Sequence, residues 1–313
     1  MRMAFLFPGQ GSQYVGMGQE LYTDYPAARR VFDCADEVLG FALTKLCFEG
    51  PKEELQKTAN TQPAVLATSI ACYEILREKG IKPEVLAGHS LGEYTALVVA
   101  GAFSFEDALL LVRRRGQLMQ EAVPLGTGGM IAVLGLDRDK VERITAEAAR
   151  AGVINAANFN CPGQVVLAGE MPALEEAVKL AKRAGAKRCV PLPVSGPFHS
   201  TLMRGAGERL AQALEDVRIR DPRLPVVANV DGSLLRTADE VGAALVRQIY
   251  SPVRWEEGMR YLVESGVETF VEVGPGKVLS GLMKKIARPG NTILNVEDGV
   301  SLQKVLAHLE EVG

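Results

Sequence analysis

Ser90 lies in a sequence that is typical of an activated nucleophile. Residues 88–92 read Gly-His-Ser-Leu-Gly, follow a short apolar run and precede a helix-forming stretch. A strand, a sharp turn and a helix are the context that a G-x-S-x-G nucleophile elbow requires. The glycines let strand and helix pack closely, and the N–H groups of the helix N-terminus favour a developing oxyanion. The pattern predicts that Ser90 is a nucleophile; the structural alternative is a glycine-rich turn with an N-capping serine.

A serine nucleophile needs a base, and the chain contains only three histidines. His89 adjoins Ser90 on the turn and should point away from it, so we expect local packing or hydrogen bonding there. His308 belongs to an amphipathic segment, where a surface or boundary position is expected. His199 follows a Gly-Pro-Phe loop, and loops on rigid scaffolds often carry catalytic groups. By elimination, His199 is the predicted base.

Length and composition indicate a globular enzyme. A chain of 313 residues exceeds what one hydrophobic core serves comfortably, so a large and a smaller domain are expected. The content of 47% hydrophobic and 23% charged residues excludes disorder, and a net charge of −3 does not favour nucleic acid or a membrane surface as a partner. The five cysteines show neither C-x-x-C nor metal-ligand spacing, which is typical of reduced thiols. No metal or cofactor is predicted.

The sequence also argues against export and nucleotide binding. The apolar segment of residues 1–7 is too short for the core of a secretory signal, and no run approaches the roughly 18 apolar residues of a membrane span. We therefore expect a cytoplasmic protein. The glycines of residues 9–11 are followed by Tyr14 where a dinucleotide fingerprint requires glycine, and no P-loop motif occurs.

The order of predicted elements indicates an α/β fold with two parts. Short apolar strands alternate with longer helices up to Leu125, which predicts a mostly parallel sheet covered by helices on both faces. After the glycine-rich residues 126–129, the predicted order β-α-β-β-α-β is the ferredoxin-like arrangement. Later strands complete the first sheet. We therefore predict a discontinuous large domain, residues 1–126 and 194–313, with a small subdomain, residues 127–193, inserted in it.

Five segments together resemble the malonyl-CoA:acyl-carrier-protein transacylase family. They occur in the family's order over nearly the whole chain, and the ordered set is far more specific than any one member. The segments are residues 7–13 (Phe-Pro-Gly-Gln-Gly-Ser-Gln), 88–93, 115–116 (Arg-Gly), 196–200 (Gly-Pro-Phe-His-Ser) and 248–253 (Gln-Ile-Tyr-Ser-Pro-Val). The resemblance implies a hydrolase-like α/β core with an inserted ferredoxin-like subdomain. It also implies transfer of malonyl from malonyl-CoA to the phosphopantetheine thiol of acyl carrier protein.

The resemblance further implies roles for individual residues. Ser90 would attack the thioester in a ping-pong reaction while His199 removes its proton. The backbone carbonyl of Gln248 would orient His199 in place of a carboxylate, which fixes the tautomer equally well. Backbone N–H groups of Gln10 and Leu91 would bind the oxyanion.

Three more residues are implied to bind the substrate. Arg115 would pair with the free carboxylate of malonate, because its planar fork matches a carboxylate. Taken alone, the run Arg113–Arg115 is typical of a solvated helix face. Gly116 is costly in a helix interior and therefore indicates close packing at this point. Phe198 would crowd the α-methyl group of methylmalonyl-CoA, and Gln62 either lines the pocket or is simply a polar residue at a helix start.

A basic cluster is the candidate docking surface for the carrier protein. Carrier proteins of this kind are acidic, so a basic surface in a slightly acidic chain would steer them. A solvated helix face explains the same residues equally well. The cluster lies on the second predicted helix of the small subdomain and just after it, and consists of Lys179, Lys182, Arg183, Lys187 and Arg188.

Two other functions fit parts of the sequence. An α/β-hydrolase, such as an esterase or thioesterase, would need an acid between Ser90 and His199, and none stands out at a strand-end loop. Such an enzyme also has no use for a carboxylate-binding arginine. A non-catalytic scaffold for a carrier protein would not need both Ser90 and His199. The sequence does not distinguish fatty acid from polyketide synthesis.

Overall fold

The computed structural model describes residues 2–312, and within them ten strands form two separate sheets. Met1, in the N-terminal segment considered above, lies outside this range. The strands are β1 (Met3–Phe7), β2 (Val85–Gly88), β3 (Gly128–Leu134), β4 (Ile154–Cys161), β5 (Gln164–Glu170), β6 (Arg188–Pro191), β7 (Val226–Val227), β8 (Leu234–Leu235), β9 (Thr269–Val273) and β10 (Thr292–Val296).

Helices fill most of the remaining chain. None of those in residues 2–312 combines the length and the apolar character that crossing a bilayer requires. They are α1 (Gln19–Asp24), α2 (Pro26–Leu39), α3 (Leu43–Glu49), α4 (Lys52–Leu55), α5 (Thr58–Glu78), α6 (Leu91–Val99), α7 (Phe105–Glu121), α8 (Arg138–Ala148), α9 (Met171–Arg183), α10 (Arg204–Glu215), α11 (Ala238–Gln248), α12 (Trp255–Glu264), α13 (Val278–Ile286) and α14 (Gly299–Val312).

The larger sheet has the spatial order β10-β9-β1-β2-β7-β8. Its neighbours pair in parallel except at the edge, where β8 runs antiparallel to β7. Every residue of β1 and β2 is buried, as expected for central parallel strands with helices on both faces. The predicted mostly parallel sheet is therefore confirmed.

The smaller sheet is antiparallel throughout and has the order β4-β5-β3-β6. Its strands and the helices α8 and α9 follow one another as β-α-β-β-α-β, which is the predicted order. Apolar side chains from these elements form a core of their own, which includes Val133, Val141 and Leu174. Strand β4 also touches the rest of the molecule, since Phe159 N–H donates to the carbonyl of Val253 at 2.9 Å.

Two packed helices, α5 and α7, carry polar residues toward the nucleophile. One of the two interpretations of Gln62 in the sequence is a polar residue at a helix start. The structure shows that α5 begins one turn earlier, at Thr58, so Gln62 and Pro63 lie inside the helix. A Cβ atom on Gly116 of α7 would lie 2.7 Å from the Cα of Ala59, so the close packing predicted at Gly116 is confirmed.

Candidate active site

Ser90 occupies a strained turn between β2 and α6. Its φ of 53° and ψ of −104° lie outside the regions that a non-glycine residue normally adopts. A Cβ atom on Gly88 would lie 1.9 Å from the backbone of Gly92, and one on Gly92 would lie 2.0 Å from the carbonyl oxygen of Phe7. Glycine is therefore required on both sides, as the elbow pattern predicted.

His199 lies against the nucleophile. Ser90 Oγ and His199 Nε2 are 2.7 Å apart, and His199 Nδ1 lies 2.8 Å from the backbone carbonyl oxygen of Gln248. Since a carbonyl can only accept, Nδ1 carries the proton and Nε2 is free to accept the hydroxyl proton of Ser90. Ser90 and His199 are also the two non-glycine residues with positive φ in residues 2–312. Strain in the described chain is thus concentrated at the reactive pair.

The imidazole of His199 is held neutral. Burial, together with the positive charge of Arg115, lowers the pKa of His199 to about 3. Removal from water disfavours the charged ring, and a nearby cation disfavours it further. His199 is therefore in its basic form at neutral pH, as a proton acceptor for Ser90 must be.

Arg115 is the one member of its arginine run that enters the site. It is 1% exposed, whereas Arg114 points outward to Gln117 and Arg113 donates to the carbonyl of Leu39 at 3.0 Å. The sequence of three arginines could not reveal which of them points into the protein. Helix α7 presents three successive side chains in three directions, and only the third faces Ser90.

The guanidinium of Arg115 is surrounded by neutral acceptors. Nη1 donates to Gln62 Oε1 at 2.9 Å, while Nη2 donates to Gln248 Oε1 at 2.8 Å and to Ser90 Oγ at 3.1 Å. Its Nε has no partner among the described residues, and the ring of Tyr94 lies 5.2 Å away. A buried cation without an ion-pair partner is costly, so this arrangement favours an anionic ligand.

A small chamber of about 80 Å³ contains the reactive groups. Ser90, Arg115, Phe198 and His199 lie in its wall, and Phe198 narrows it beside the base. Gln10 and Leu91 also line this chamber, and their backbone N–H groups donate to no acceptor within residues 2–312. Two free N–H groups beside a nucleophile can stabilise an oxyanion.

The chamber continues into a groove of about 210 Å³, since both are lined by Gln10, His89, Asn158 and Leu192. One side of the groove carries amide side chains from β4 and β5, including Asn160 and Gln164. The other side is apolar and comes from α13. The groove can therefore hold an extended ligand that has both amide and alkyl groups.

Three other residues considered in the sequence, Gln62, His89 and His308, are placed as follows. Gln62 is fully buried, and its Oε1 accepts from Arg115 Nη1. Its effect on a bound ligand would therefore be exerted through Arg115. His89 Nε2 lies 2.9 Å from Asn160 Oδ1 and its ring packs on Trp255, which confirms the expected local role. His308 is partly buried on α14, as expected for a boundary position.

The predicted basic cluster is exposed. Lys179, Lys182 and Arg183 lie on α9, Lys187 immediately precedes β6, and Arg188 is the first residue of β6. Arg188 pairs with Leu134 of β3, which in turn pairs with Gln164 in the groove wall. Arg188 therefore lies in the same sheet as Gln164, with β3 between their two strands.

Sequence analysis missed Glu93, Asn229 and the side chain of Gln248. Glu93 Oε2 accepts from Gln248 Nε2 at 2.7 Å, and Asn229 contacts the backbone on both sides of His89. A signal for Glu93 was available, because it is the one charged residue in the largely apolar residues 91–100. Asn229 follows β7 by two residues, and the carboxyl ends of parallel strands are where α/β sheets bind ligands.

Comparison with known proteins places the chain among acyltransferases. Residues 4–304 match the family described as the acyl transferase domain. The chain is 50% identical over 311 residues to the malonyl CoA-acyl carrier protein transacylase of Bacillus subtilis, which covers 99% of this chain and 98% of that protein.

Solved structures agree. The malonyl CoA-acyl carrier protein transacylase of Clostridium perfringens superposes with a TM-score of 0.96 at 42% identity, covering 100% of this chain and 98% of that one. A malonyl-transacylase solved in complex with a type II PKS acyl-carrier protein superposes with a TM-score of 0.96 at 47% identity, covering 98% of this chain and 100% of that one.

Proposed function

The chain belongs to the malonyl CoA-acyl carrier protein transacylase family, and we propose that it transfers malonyl from malonyl-CoA to the phosphopantetheine thiol of an acyl carrier protein. One observation carries the proposal beyond the family: Arg115 is a buried cation that touches Ser90 Oγ and has only neutral hydrogen-bond partners. A malonyl group supplies the missing carboxylate a few bonds from the carbonyl that Ser90 attacks. Its binding would satisfy the guanidinium in two hydrogen bonds.

The first half-reaction acylates Ser90. Its Oγ attacks the thioester carbon while its proton moves to His199 Nε2, 2.7 Å away. The carbonyl oxygen becomes an oxyanion that the N–H groups of Gln10 and Leu91 bind. The C–S bond then breaks, His199 returns the proton to the sulfur, and free CoA leaves behind a malonyl ester on Ser90.

The second half-reaction reverses the first with a different thiol. The carrier's thiol sulfur attacks the ester carbon and gives its proton to His199, and the same N–H groups bind the new oxyanion. When the ester C–O bond breaks, the proton moves from His199 to Ser90 Oγ. The carbonyl of Gln248 fixes the histidine tautomer in both directions, at 2.8 Å from Nδ1.

The groove supports one shared path for donor and acceptor. CoA and the carrier protein both present their thiol on a pantetheine arm, which contains two amides and an apolar branched segment. The groove leading to Ser90 has amide side chains on one wall and leucines of α13 on the other. Since one path serves both arms, the donor has to leave before the acceptor enters, which supports a ping-pong order.

Chamber size and shape support a short acyl group. A volume of about 80 Å³ is the share of two or three water molecules in the liquid. The ring of Phe198, next to the base, leaves little room for a branch on the α-carbon. Malonyl-CoA is therefore proposed as the donor in preference to methylmalonyl-CoA.

We further propose that residues 127–193 form a ferredoxin-like subdomain inserted into a hydrolase-like core, which residues 1–126 and 194–313 form. The strand order β4-β5-β3-β6 and the separate apolar core support the subdomain, and the elbow after β2 supports the hydrolase-like description. Five free cysteines support a cytoplasmic location.

An esterase or thioesterase is the main alternative, and the fate of the malonyl group distinguishes the two. With malonyl-CoA and an acyl carrier protein bearing its pantetheine thiol, we expect the carrier to gain malonyl while free malonate stays low. Liquid chromatography with mass detection follows both products. Release of malonate at the same rate with and without carrier would assign the chain to the hydrolases instead.

Because the pKa of His199 is depressed, we expect the rate of acylation not to depend on pH above about pH 5. Since its pKa is about 3, lowering the pH from about 8 to about 5 leaves the ring neutral, and kcat/KM for acylation should stay constant. Glu93 is the other titrating group here, with a pKa that burial raises to about 7. Measurement with malonyl-N-acetylcysteamine, which has no phosphate, and in Glu93→Gln as well, separates the two groups. A fall near pH 6.5 that persists in Glu93→Gln would contradict the prediction.

Carrier docking is proposed at the basic cluster. Charge reversal of Lys187 and Arg188 to glutamate should raise KM for the carrier by roughly tenfold at low salt, because like charges would then repel an acidic partner. Reversal of Lys182 and Arg183, which are exposed on α9, should raise the KM for the carrier in the same way. Steady-state transfer kinetics at two salt concentrations measure this.

A matched control uses two lysines near the N-terminal end of β2, opposite the end that carries the site. Lys79 and Lys82 are exposed and precede β2, whereas the site follows it. Their reversal to glutamate changes net charge equally and should leave the KM for the carrier unchanged. Acylation by malonyl-CoA serves as the internal reference in all variants. If the cluster variants and this control have the same KM for the carrier, the cluster is an ordinary solvated face and not a docking surface.

A further inference from the structure

Asn229 takes no part in the bond changes described above, yet its side chain holds both ends of the elbow turn. Asn229 Oδ1 accepts from the N–H of Ser90 at 2.6 Å, and Nδ2 donates to the carbonyl oxygen of Gly88 at 2.7 Å. The residue is 3% exposed. Its carboxamide therefore bridges the two peptide groups that flank His89.

The elbow needs such a bridge because its backbone is strained. Ser90 has a φ of 53°, and strained conformations persist only where the surroundings over-determine them. Strand β2 ends at Gly88, and helix α6 begins at Leu91, so neither element fixes the N–H of Ser90. Asn229 supplies the hydrogen bonds that the sheet and the helix leave unmade there.

Asn229 also connects the elbow to the base. Its backbone N–H donates to Glu93 Oε2 at 3.3 Å, and the same oxygen accepts from Gln248 Nε2 at 2.7 Å. Gln248 Nε2 donates in addition to the carbonyl oxygen of Ser90 at 2.8 Å. Since the backbone carbonyl of Gln248 orients His199, one buried network fixes the nucleophile and its base relative to each other.

We propose that Asn229 is a positioning residue for Ser90. It contacts no substrate; it holds the elbow so that Ser90 Oγ faces His199 Nε2 and the N–H of Leu91 faces the oxyanion. Loss of the bridge should let the turn relax, and a displacement of about 1 Å costs roughly 100-fold in rate. The choice of malonyl-CoA as the acyl donor rests on the proposed function, whereas the reactivity of Ser90 does not.

The test separates rate from active fraction in Asn229→Ala. Rapid quenching and intact-mass measurement should show acylation of all molecules by malonyl-CoA with a rate constant roughly 100-fold below wild type. A small dialkyl fluorophosphate provides a second readout: Ser90 Oγ forms a P–O bond, the P–F bond breaks, fluoride leaves and His199 takes the proton. That rate constant should fall similarly. A wild type that reacts with the fluorophosphate but not with malonyl-CoA would refute only the proposed function.

Asn291→Ala is the matched control. Its carboxamide also bridges backbone groups, accepting from Arg288 N–H and donating to the carbonyl of Val267, but near the start of β10. This variant should lose stability without losing rate. Asn229→Ala with a wild-type rate constant, whatever its active fraction, would overturn the proposal.

If Asn229→Ala does not fold, Asn229→Asp carries the test. It keeps the acceptor for the N–H of Ser90 and loses the donor to Gly88. A reduced rate constant at full amplitude, with both malonyl-CoA and the fluorophosphate, supports the proposal. A wild-type rate constant contradicts it.

Discussion

Ser90→Ala is expected to reduce malonyl transfer by about 10⁴-fold or more, because the variant has no atom that can form the acyl-enzyme. Among the residues that line the chamber beside His199, Ser90 alone carries a hydroxyl or thiol group. Transfer is measured as malonyl-carrier formed per enzyme under saturating malonyl-CoA.

A control serine guards against general effects of the substitution. Ser265 is at the end of α12, and its Oγ donates to the carbonyl of Tyr261, far along the chain from the elbow. Ser265→Ala should transfer at the wild-type rate. Normal transfer by Ser90→Ala would rule out the mechanism.

Arg115→Ala is expected to remove the preference for a free carboxylate. Truncating one partner of a buried charged pair costs about 3 kcal/mol, so kcat/KM for malonyl-CoA should fall roughly 100-fold or more. Acetyl-CoA has no carboxylate to lose, so the ratio of malonyl to acetyl transfer should narrow. Competition between the two donors in one tube measures that ratio directly.

Two further variants make the Arg115 test specific. Arg114→Ala removes an exposed neighbour on the same helix and should leave the ratio at its wild-type value. Arg115→Lys keeps the charge but loses the planar fork, so it should recover only part of the malonyl rate. An unchanged malonyl-to-acetyl ratio in Arg115→Ala would show that the carboxylate binds elsewhere.

Local sequence patterns were enough to predict the elbow and the strand and helix that flank it. A glycine on each side of Ser90, a short strand before it and a helix after it follow from residues 85–99 alone, and the structure has all of them. The succession β-α-β-β-α-β along residues 128–191 also followed from the strand and helix patterns of the sequence. These features depend on neighbours in the chain, which a sequence displays directly.

Helix α5 shows where local patterns mislead. The local pattern around Gln62 is compatible with a helix start, but α5 begins one turn earlier, at Thr58, and includes Pro63. The first turn is held by tertiary contacts, such as Gln120 Oε1 accepting the N–H of Ala59 at 2.8 Å. A partner 61 residues away in sequence cannot be read from the helix itself.

The network behind the elbow depended on the same kind of long-range contact. Glu93, Asn229 and the side chain of Gln248 are brought together from α6, the end of β7 and the end of α11. Each is an ordinary polar residue in its own segment. The resemblance to a family pointed to the backbone carbonyl of Gln248, but only the folded chain shows that its side chain joins Arg115 to Glu93.

The central claim is that the malonyl group rests on Ser90 between its donor and its acceptor. Intact-mass measurement of the wild-type enzyme after mixing with malonyl-CoA tests this directly, with peptide mapping to locate the group. We expect one added malonyl group on Ser90, lost from the enzyme and gained by the carrier protein when the pantetheine-bearing carrier is added. Transfer to the carrier without any acylated enzyme, or a malonyl group on another residue, would contradict the account.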